Sequence, residues 1–294
     1  MKLAVTGGSG NIGRRVCREL AEAGHEVWSV DRVPPGNSNV GFREADLTAL
    51  EETRNALRGA DQVIHLAAIP NPYLDPAERV MSVNMAISYS VFEAARRLGI
   101  ARVIYGCSES ATGFGIHEPA LRPEYVPIDE EHPVWPHETY SLSKYFGEVI
   151  GEKYSVAFGM QVLSLRYTWV IYESCLNRAR ELAAAYGRHE VPEEPWFGAY
   201  ISVGDVARAI RAAVEYDAGD GPLFEAFMLT APQTMYNLPT LDVLKRIYGD
   251  LPPVSDPSVY ATDPYASVFD LRKAKQVLGW EPKDSLANID EWDV

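Results

Sequence analysis

Met1-Lys2-Leu3-Ala4-Val5-Thr6-Gly7-Gly8-Ser9-Gly10-Asn11-Ile12-Gly13, continued as RRVCRELAEAG over residues 14–24, decides the fold. The apolar run Leu3-Ala4-Val5 breaks into glycines and then resumes with helical spacing, so the stretch reads as strand, tight turn and helix. Gly7 can take the left-handed backbone of such a turn, Gly10 lets the main chain approach a pyrophosphate, and Gly13 lets the helix pack closely on the strand. The opening N–H groups of the helix, at Asn11 and Ile12, then face an anion. The spacing Gly-x-x-Gly-x-x-Gly is one residue longer than the common dinucleotide fingerprint. The next strand, residues 26–30, ends in Asp31, about 18 residues beyond Gly13, where a carboxylate binds adenosine ribose hydroxyls. A carboxylate there repels a 2′-phosphate and favours NAD over NADP. Arg32 beside it is the group that would accept that phosphate.

The 294 residues, 47% of them hydrophobic, suit one large domain or one large plus one small. A formal charge of −14, from 41 acidic against 27 basic residues, argues against nucleic-acid and anionic-membrane partners, which need a cationic face. Cys17, Cys107 and Cys175 form no close pair, so neither a disulfide framework nor a zinc site is expected, and a reducing, cytoplasmic location is the simplest. The six histidines show no metal-ligand spacing, and no metal is expected. The first strand begins at once, leaving no room for a signal peptide, and no apolar run is long enough to span a bilayer.

Strand and helix then alternate: strand 40–45, helix 46–58, strand 62–68, helix 76–98 stopped by Gly99, strand 102–107, helix 139–158 and strand 161–166. Such alternation predicts an α/β fold with a doubly wound parallel sheet and right-handed crossovers. Residues 113–138, with five prolines, form a loop long enough to read as a lid or binding loop. Beyond 166 the periodicity weakens, leaving helices at 177–186, 204–216, 238–248 and 270–278 and a strand at 223–229. The expected cofactor domain is 1–166, rejoined by about 204–229. Residues 167–294 are mainly a small substrate-binding cap, interleaved with it.

Tyr140 and Lys144, four apart at a helix start, project from one face. A phenol acts as a base when a neighbouring ammonium and a cationic nicotinamide stabilise its phenolate. Together with the glycine turn, Asp31 and a strand ending in Cys107-Ser108, this pair makes the chain resemble the extended short-chain dehydrogenase/reductase superfamily, in its NAD-dependent epimerase/dehydratase branch. TGGSGNIG (6–13) is similar to that family's phosphate turn, and Ala45-Asp46-Leu47 to its adenine-contacting stretch. His65-Leu66-Ala67-Ala68 resembles the strand end lining the cofactor, and Asn84 a helix position near the active site. Ser108, five residues before Gly113, occupies the place of the catalytic serine, with Tyr140 and Lys144 as partners. The resemblance implies a Rossmann-type sheet with a small C-terminal substrate-binding cap, NAD as cofactor, and hydride transfer at a sugar-type hydroxyl. Tyr140 removes the proton, Ser108 holds the forming carbonyl and Lys144 keeps the phenolate poised.

One departure bears on substrate. Nucleotide-sugar epimerases of this family usually carry Arg-Tyr-Phe-Asn where this chain has Arg166-Tyr167-Thr168-Trp169, and the Asn helps hold the substrate's phosphates. Trp169, with the compact cap, makes the chain look more like the sugar-acid (uronate) dehydrogenases. Glu109, Ser110 and Thr112, just after the serine, are candidate pocket residues. Trp169, Tyr172, Trp196 and Phe197 could stack on a sugar or fill the core, and Arg178 could pair with a substrate anion or sit solvated on its helix. His117 reads as a surface histidine, and Leu278-Gly279-Trp280 as packing. The functions weighed are an NAD-dependent dehydrogenase of a sugar, sugar acid or polyol, a UDP-hexose 4-epimerase with tightly held NAD, and a non-catalytic NAD sensor. The retained Ser-Tyr-Lys set argues against the last. By resemblance, residues 76–98 and 139–157 supply a homodimer contact.

Overall fold

Leu3, Ala4, Val5 and Thr6 have no solvent exposure, because the strand they form is flanked on both edges by strands and on both faces by helices. The computed structural model describes residues 1–36, 40–114, 121–186 and 197–293. Along them run β1 (Lys2–Thr6), β2 (Glu26–Asp31), β3 (Gly41–Glu44), β4 (Gln62–His65), β5 (Arg102–Gly106), β6 (Gln161–Tyr167), β7 (Trp169–Ile171), β8 (Tyr200–Ser202) and β9 (Leu223–Leu229). Seven of these build one parallel sheet in the order β3-β2-β1-β4-β5-β6-β9, and β7 and β8 pair in parallel as a second. The order reverses between β1 and β4, which opens a crevice at their carboxyl ends. The register aligns Thr6 with Val30 and His65, and His65 with Tyr105, so Gly7, Asp31, Leu66 and Gly106 end their strands along one rim.

Helices α1 (Asn11–Glu22), α2 (Leu50–Leu57), α3 (Ala77–Leu98), α4 (Thr139–Phe158), α5 (Leu176–Tyr186), α6 (Val203–Glu215), α7 (Thr240–Tyr248), α8 (Pro257–Thr262) and α9 (Arg272–Leu278) cover the strands. On one face α1 packs with α6 around Val16, Leu20, Val206 and Ile210; on the other, α2, α3 and α4 pack around Val91, Phe92 and Val162. Each large side chain buried fully there, such as Ile64, Ile104 and Leu163, contributes about 1.5–3 kcal/mol. None of the described helices is long and apolar enough to cross a membrane.

Residues 121–138 differ from the expected lid. Val126 and Ile128 are fully buried and bridge Val254 and Phe269, with Val126 N donating to Pro253 O at 2.9 Å and Ile128 N to Val268 O at 2.7 Å. Chain segments far apart in sequence thus satisfy one another's buried backbone groups. Prolines hid this from a periodicity reading, and residues 115–120, including His117, lie outside the described residues. The second difference is at the C-terminal end, expected in the cap. Trp280 packs in the core under α6 and donates from Nε1 to Asp205 O at 3.2 Å, Asp205 accepts the backbone N–H groups of Lys283 and Asp284 at 2.9 Å each, and Arg15 holds Asp293 at 3.1 Å. Residues 272–284 and Asp293 therefore return to the large sheet, while Leu286, Ile289 and Trp292 pack on the cap. The cap proper has two cores, one around Phe114, Phe197 and Phe269, the other around Tyr200, Met235, Tyr236 and Trp292.

Candidate active site

The turn after β1 is built as the glycines imply. A Cβ on Gly13 would lie 2.1 Å from Gly7 O, so only glycine lets α1 start this close to β1. Gly10 is different: a Cβ there would meet only Gly7 O, at 3.3 Å, and the space it leaves empty belongs to a groove. That groove, about 310 Å³, runs over the crevice between β1 and β4. Gly7, Gly10, Asn11, Ile12 and Gly13 line it, as do Asp31, Arg32, Asp46 and Leu47 at one end and Leu66, Ala67 and Ala68 along the middle. The N-cap of α1 is Gly10, with no side chain closing the first turn, so its N–H groups remain for an anion. Asp31 is fixed by hydrogen bonds from Ser9 N (3.2 Å) and Arg32 N (2.7 Å) to its carboxylate. A cradle for a diphosphate, a carboxylate for ribose and apolar walls are what a bound dinucleotide requires, and these residues fit one.

Ile69, Pro70, Asp75, Arg79, Val83 and Ile87 also line this groove and were not singled out from the sequence; Tyr172, read there as a candidate to stack on a sugar, lines it too. The four-residue steps from Arg79 to Val83 to Ile87 put them on one face of α3, a signal that Asn84 alone did not carry. Asn84 itself does not line the groove. Its Oδ1 accepts from Ile69 N at 2.7 Å, and its Nδ2 donates to Ile69 O and Ser143 Oγ at 3.1 Å each, so it ties the loop after β4 to α4.

Helix α4 positions the reacting pair. Glu138 caps it, accepting Tyr140 N at 2.6 Å and Ser141 N at 2.5 Å. One turn on, Lys144 is buried and donates from Nζ to Gly106 O at 2.8 Å, with Nζ 5.8 Å from the Tyr140 ring centre. Gly147 lets α4 lie against β5, since a Cβ there would fall 2.1 Å from Tyr105 Oη. Ser108 follows β5 and caps the short 3₁₀ turn Glu109–Thr112, which Gly113 ends in left-handed backbone. Its Oγ accepts from Ser110 N at 3.2 Å and Ser110 Oγ at 2.9 Å and donates to Glu109 Oε2 at 3.1 Å. Tyr140 also hydrogen-bonds Ser108. Thus Ser108, Glu109, Tyr140 and Lys144 meet at the carboxyl end of the sheet.

Burial dominates the electrostatics here. It raises the Tyr140 phenol well above its ordinary value, helped by Tyr167, Glu109 and Cys107, while the bond to Ser108 draws it down. The same burial pushes Lys144 down to about 8, partly offset by Cys107, and pushes Glu109 up to about 7 against hydrogen bonds that favour its ionised form. His65 is held neutral, down to about 3, by burial and then by Lys144; its Nδ1 pairs with Thr6 Oγ1 at 2.8 Å and its buried Nε2 has no partner.

The remaining pocket candidates divide. Ser110 and Thr112 are buried, and the Thr112 hydroxyl turns back to Glu109 O at 2.5 Å, holding the turn. Trp169 is half-buried and packs on the cap core beside Ile171 and Tyr200. Phe197 is buried in that core's neighbour, whereas Trp196 lies outside the described residues. Arg178 is exposed on α5 and pairs with Glu181 at 3.5 Å.

Residues 3–225 match the model of the NAD dependent epimerase/dehydratase family. The chain is similar to L-arabinose 1-dehydrogenase (NAD(P)(+)) of Haloferax volcanii, 34% identical over 234 residues that make up 76% of this chain and 85% of that one. It is 27% identical to a putative UDP-glucose 4-epimerase of Methanocaldococcus jannaschii, over 99% of this chain and 97% of the relative. Among solved structures, UDP-glucose 4-epimerase of Thermotoga maritima with UDP-glucose superposes with a TM-score of 0.69 at 26% identity, covering 97% of this chain and 95% of that one. With its seven-stranded Rossmann sheet, the chain belongs to the NAD-dependent epimerase/dehydratase family and is an NAD-dependent enzyme of the extended short-chain dehydrogenase/reductase type.

Proposed function

We propose that the protein is an NAD-dependent dehydrogenase of a free sugar or sugar acid. The observation that carries this reading is Trp169. It stands where nucleotide-sugar epimerases of the family usually place a phosphate-binding Asn, and its indole packs on the cap core beside Ile171 and Tyr200. The similarity to an L-arabinose 1-dehydrogenase supports the same reading. Ser108 and Tyr140 hold the reacting hydroxyl between them; Tyr140 Oη takes its proton, and Ser108 donates to the oxygen as it becomes a carbonyl. Bound in the groove, NAD supplies the oxidised nicotinamide that accepts the hydride. Lys144, protonated below about pH 8, stabilises the phenolate through its charge, and its bond to Gly106 O keeps it in place.

Purified protein incubated with NAD or NADP and a panel of free sugars, uronic acids and sugar nucleotides is expected to accumulate NADH with a free sugar or sugar acid. Conversion of UDP-glucose to its C4 epimer without net NADH would replace this reading with the epimerase one. NAD is the preferred coenzyme in this reading because of Asp31, with Arg32 as the neighbour that tolerates a 2′-phosphate.

The same proposal includes a homodimer through α3 and α4, whose outer faces expose Tyr89, Phe146 and Phe158. Light scattering is expected to give twice the chain mass, and Phe146→Glu to shift it towards the monomer. A wild-type monomer would overturn that part. The buried thiols Cys17 and Cys107 suit a reducing, cytoplasmic setting.

A further inference from the structure

Ser108 Oγ has one proton and two lone pairs. Ser110 N–H and Ser110 Oγ approach it at 3.2 and 2.9 Å, Tyr140 bonds it, and Glu109 Oε2 lies 3.1 Å away. An oxygen reacting between Ser108 and Tyr140 therefore arrives beside the Glu109 carboxyl, which is half-buried at the rim of this cluster. Tyr140 on α4 and Tyr167 at the end of β6 both feel its negative charge, and Cys107 acts on the same two phenols. Among the described residues no cation is paired with it. Lys144 donates to Gly106 O, Arg166 is held by Glu148 on both sides of its fork at 2.9 Å, and Arg178 faces solvent against Glu181. Only hydrogen bonds from Ser108 and from the Glu109 and Ser110 backbone act to lower its pKa.

We propose that Glu109 is a specificity-determining residue that makes this dehydrogenase select neutral aldoses over sugar acids and sugar phosphates. This rests on the dehydrogenase reading and narrows it. The ionised carboxylate accepts a hydroxyl next to the reacting carbon, and it repels a second carboxylate on a ring held against Ser108. Two like charges at a separation of about 6 Å and an effective dielectric of about 20 would repel by enough to give discrimination on the order of 100-fold in kcat/KM. The sign of its pH dependence follows from the ionisation. Above about pH 7 Glu109 is charged and uronates are rejected; below it the carboxyl is neutral and the rejection relaxes, while a uronate itself stays ionised. Titration of Tyr140 and Lys144 acts on both substrates alike and cancels in their ratio.

The test is kcat/KM with NAD for matched pairs differing only at C6, galactose with galacturonate and glucose with glucuronate, from pH 6 to 8.5, in wild type and Glu109→Gln. In wild type the aldose is expected to lead by about 100-fold at pH 8.5, with the ratio moving towards the uronate as pH falls. In Glu109→Gln the ratio should lie nearer to unity and stay flat with pH. The wild-type profile alone decides the matter if the variant does not fold. A uronate preferred at pH 8.5, or a wild-type ratio that is flat and equal to that of the variant, overturns the role of Glu109 while leaving the dehydrogenase intact. No net NADH from either member of any pair overturns the dehydrogenase reading, and this inference with it.

Discussion

Tyr140→Phe is expected to lower kcat by about 10²- to 10⁴-fold, the range for loss of a positioned proton acceptor, while the protein stays folded and binds NAD as before. The ring is buried on α4, and removing one oxygen leaves its packing in place. Only the proton acceptor and the bond to Ser108 are lost. In the resting protein the phenol sits well above its ordinary pKa, so the hydroxyl cannot act as a base without positive charge nearby. Lys144, 5.8 Å from its ring centre, is one such charge, and the oxidised nicotinamide is the other. Steady-state turnover beside NAD titration by protein fluorescence separates the outcomes. Unchanged kcat would remove Tyr140 from the chemistry, and weakened NAD binding would make it a cofactor ligand first.

Glu148→Ala is expected to destabilise the fold by about 3–5 kcal/mol, because it leaves the Arg166 guanidinium buried and unpaired. Glu148 sits one turn after Lys144 on α4. It accepts Arg166 Nε and Nη2 at 2.9 Å each and Ser164 Oγ at 2.6 Å, and both partners are under a tenth exposed. Arg166 Nη1 already lacks a hydrogen-bond partner, and Glu130, whose charge also reaches Arg166, is engaged by Met228 N at 2.6 Å. Denaturant unfolding measures the loss directly. The double change Glu148→Leu with Arg166→Met should recover most of it, since two apolar groups of similar volume remove both desolvation costs. A loss under about 1 kcal/mol in the single variant would mean that water reaches the pair.

The parts of the molecule that short-range rules govern were legible in the sequence. Gly13 announces itself because a side chain there collides with Gly7 O, and Tyr140 and Lys144 because helical geometry stacks residues four apart. Glu148 follows Lys144 by the same step and could have been found that way; only its partner on β6 gives it meaning. β7 and β8 have three residues each, too few to show a period, and pair across the segment containing α5. Burial of Val126 and Ile128 depends on bridges to Val254 and Phe269, more than 100 residues away, which no local pattern encodes. The site divides in the same way. Its glycines and its Ser-Tyr-Lys set lie in recurring motifs, but the uncompensated charge of Glu109 emerges only once α4, β5 and β6 converge.

The return of residues 272–284 and of Asp293 to α1 and α6 bears on how substrate enters. Two bodies joined by a single linker can open like a jaw about one hinge. Here the chain passes from sheet to cap and back more than once, and its tail is fastened to the far side of the sheet by Trp280 and by Arg15 on Asp293. A wide swing would have to bend all those crossings together and pull Trp280 from its core. These anchors tie the cap to the sheet at more than one point. Access to the groove is then expected through side-chain and short-loop movements at the rim, with a turnover rate that solvent viscosity slows little beyond what diffusion imposes.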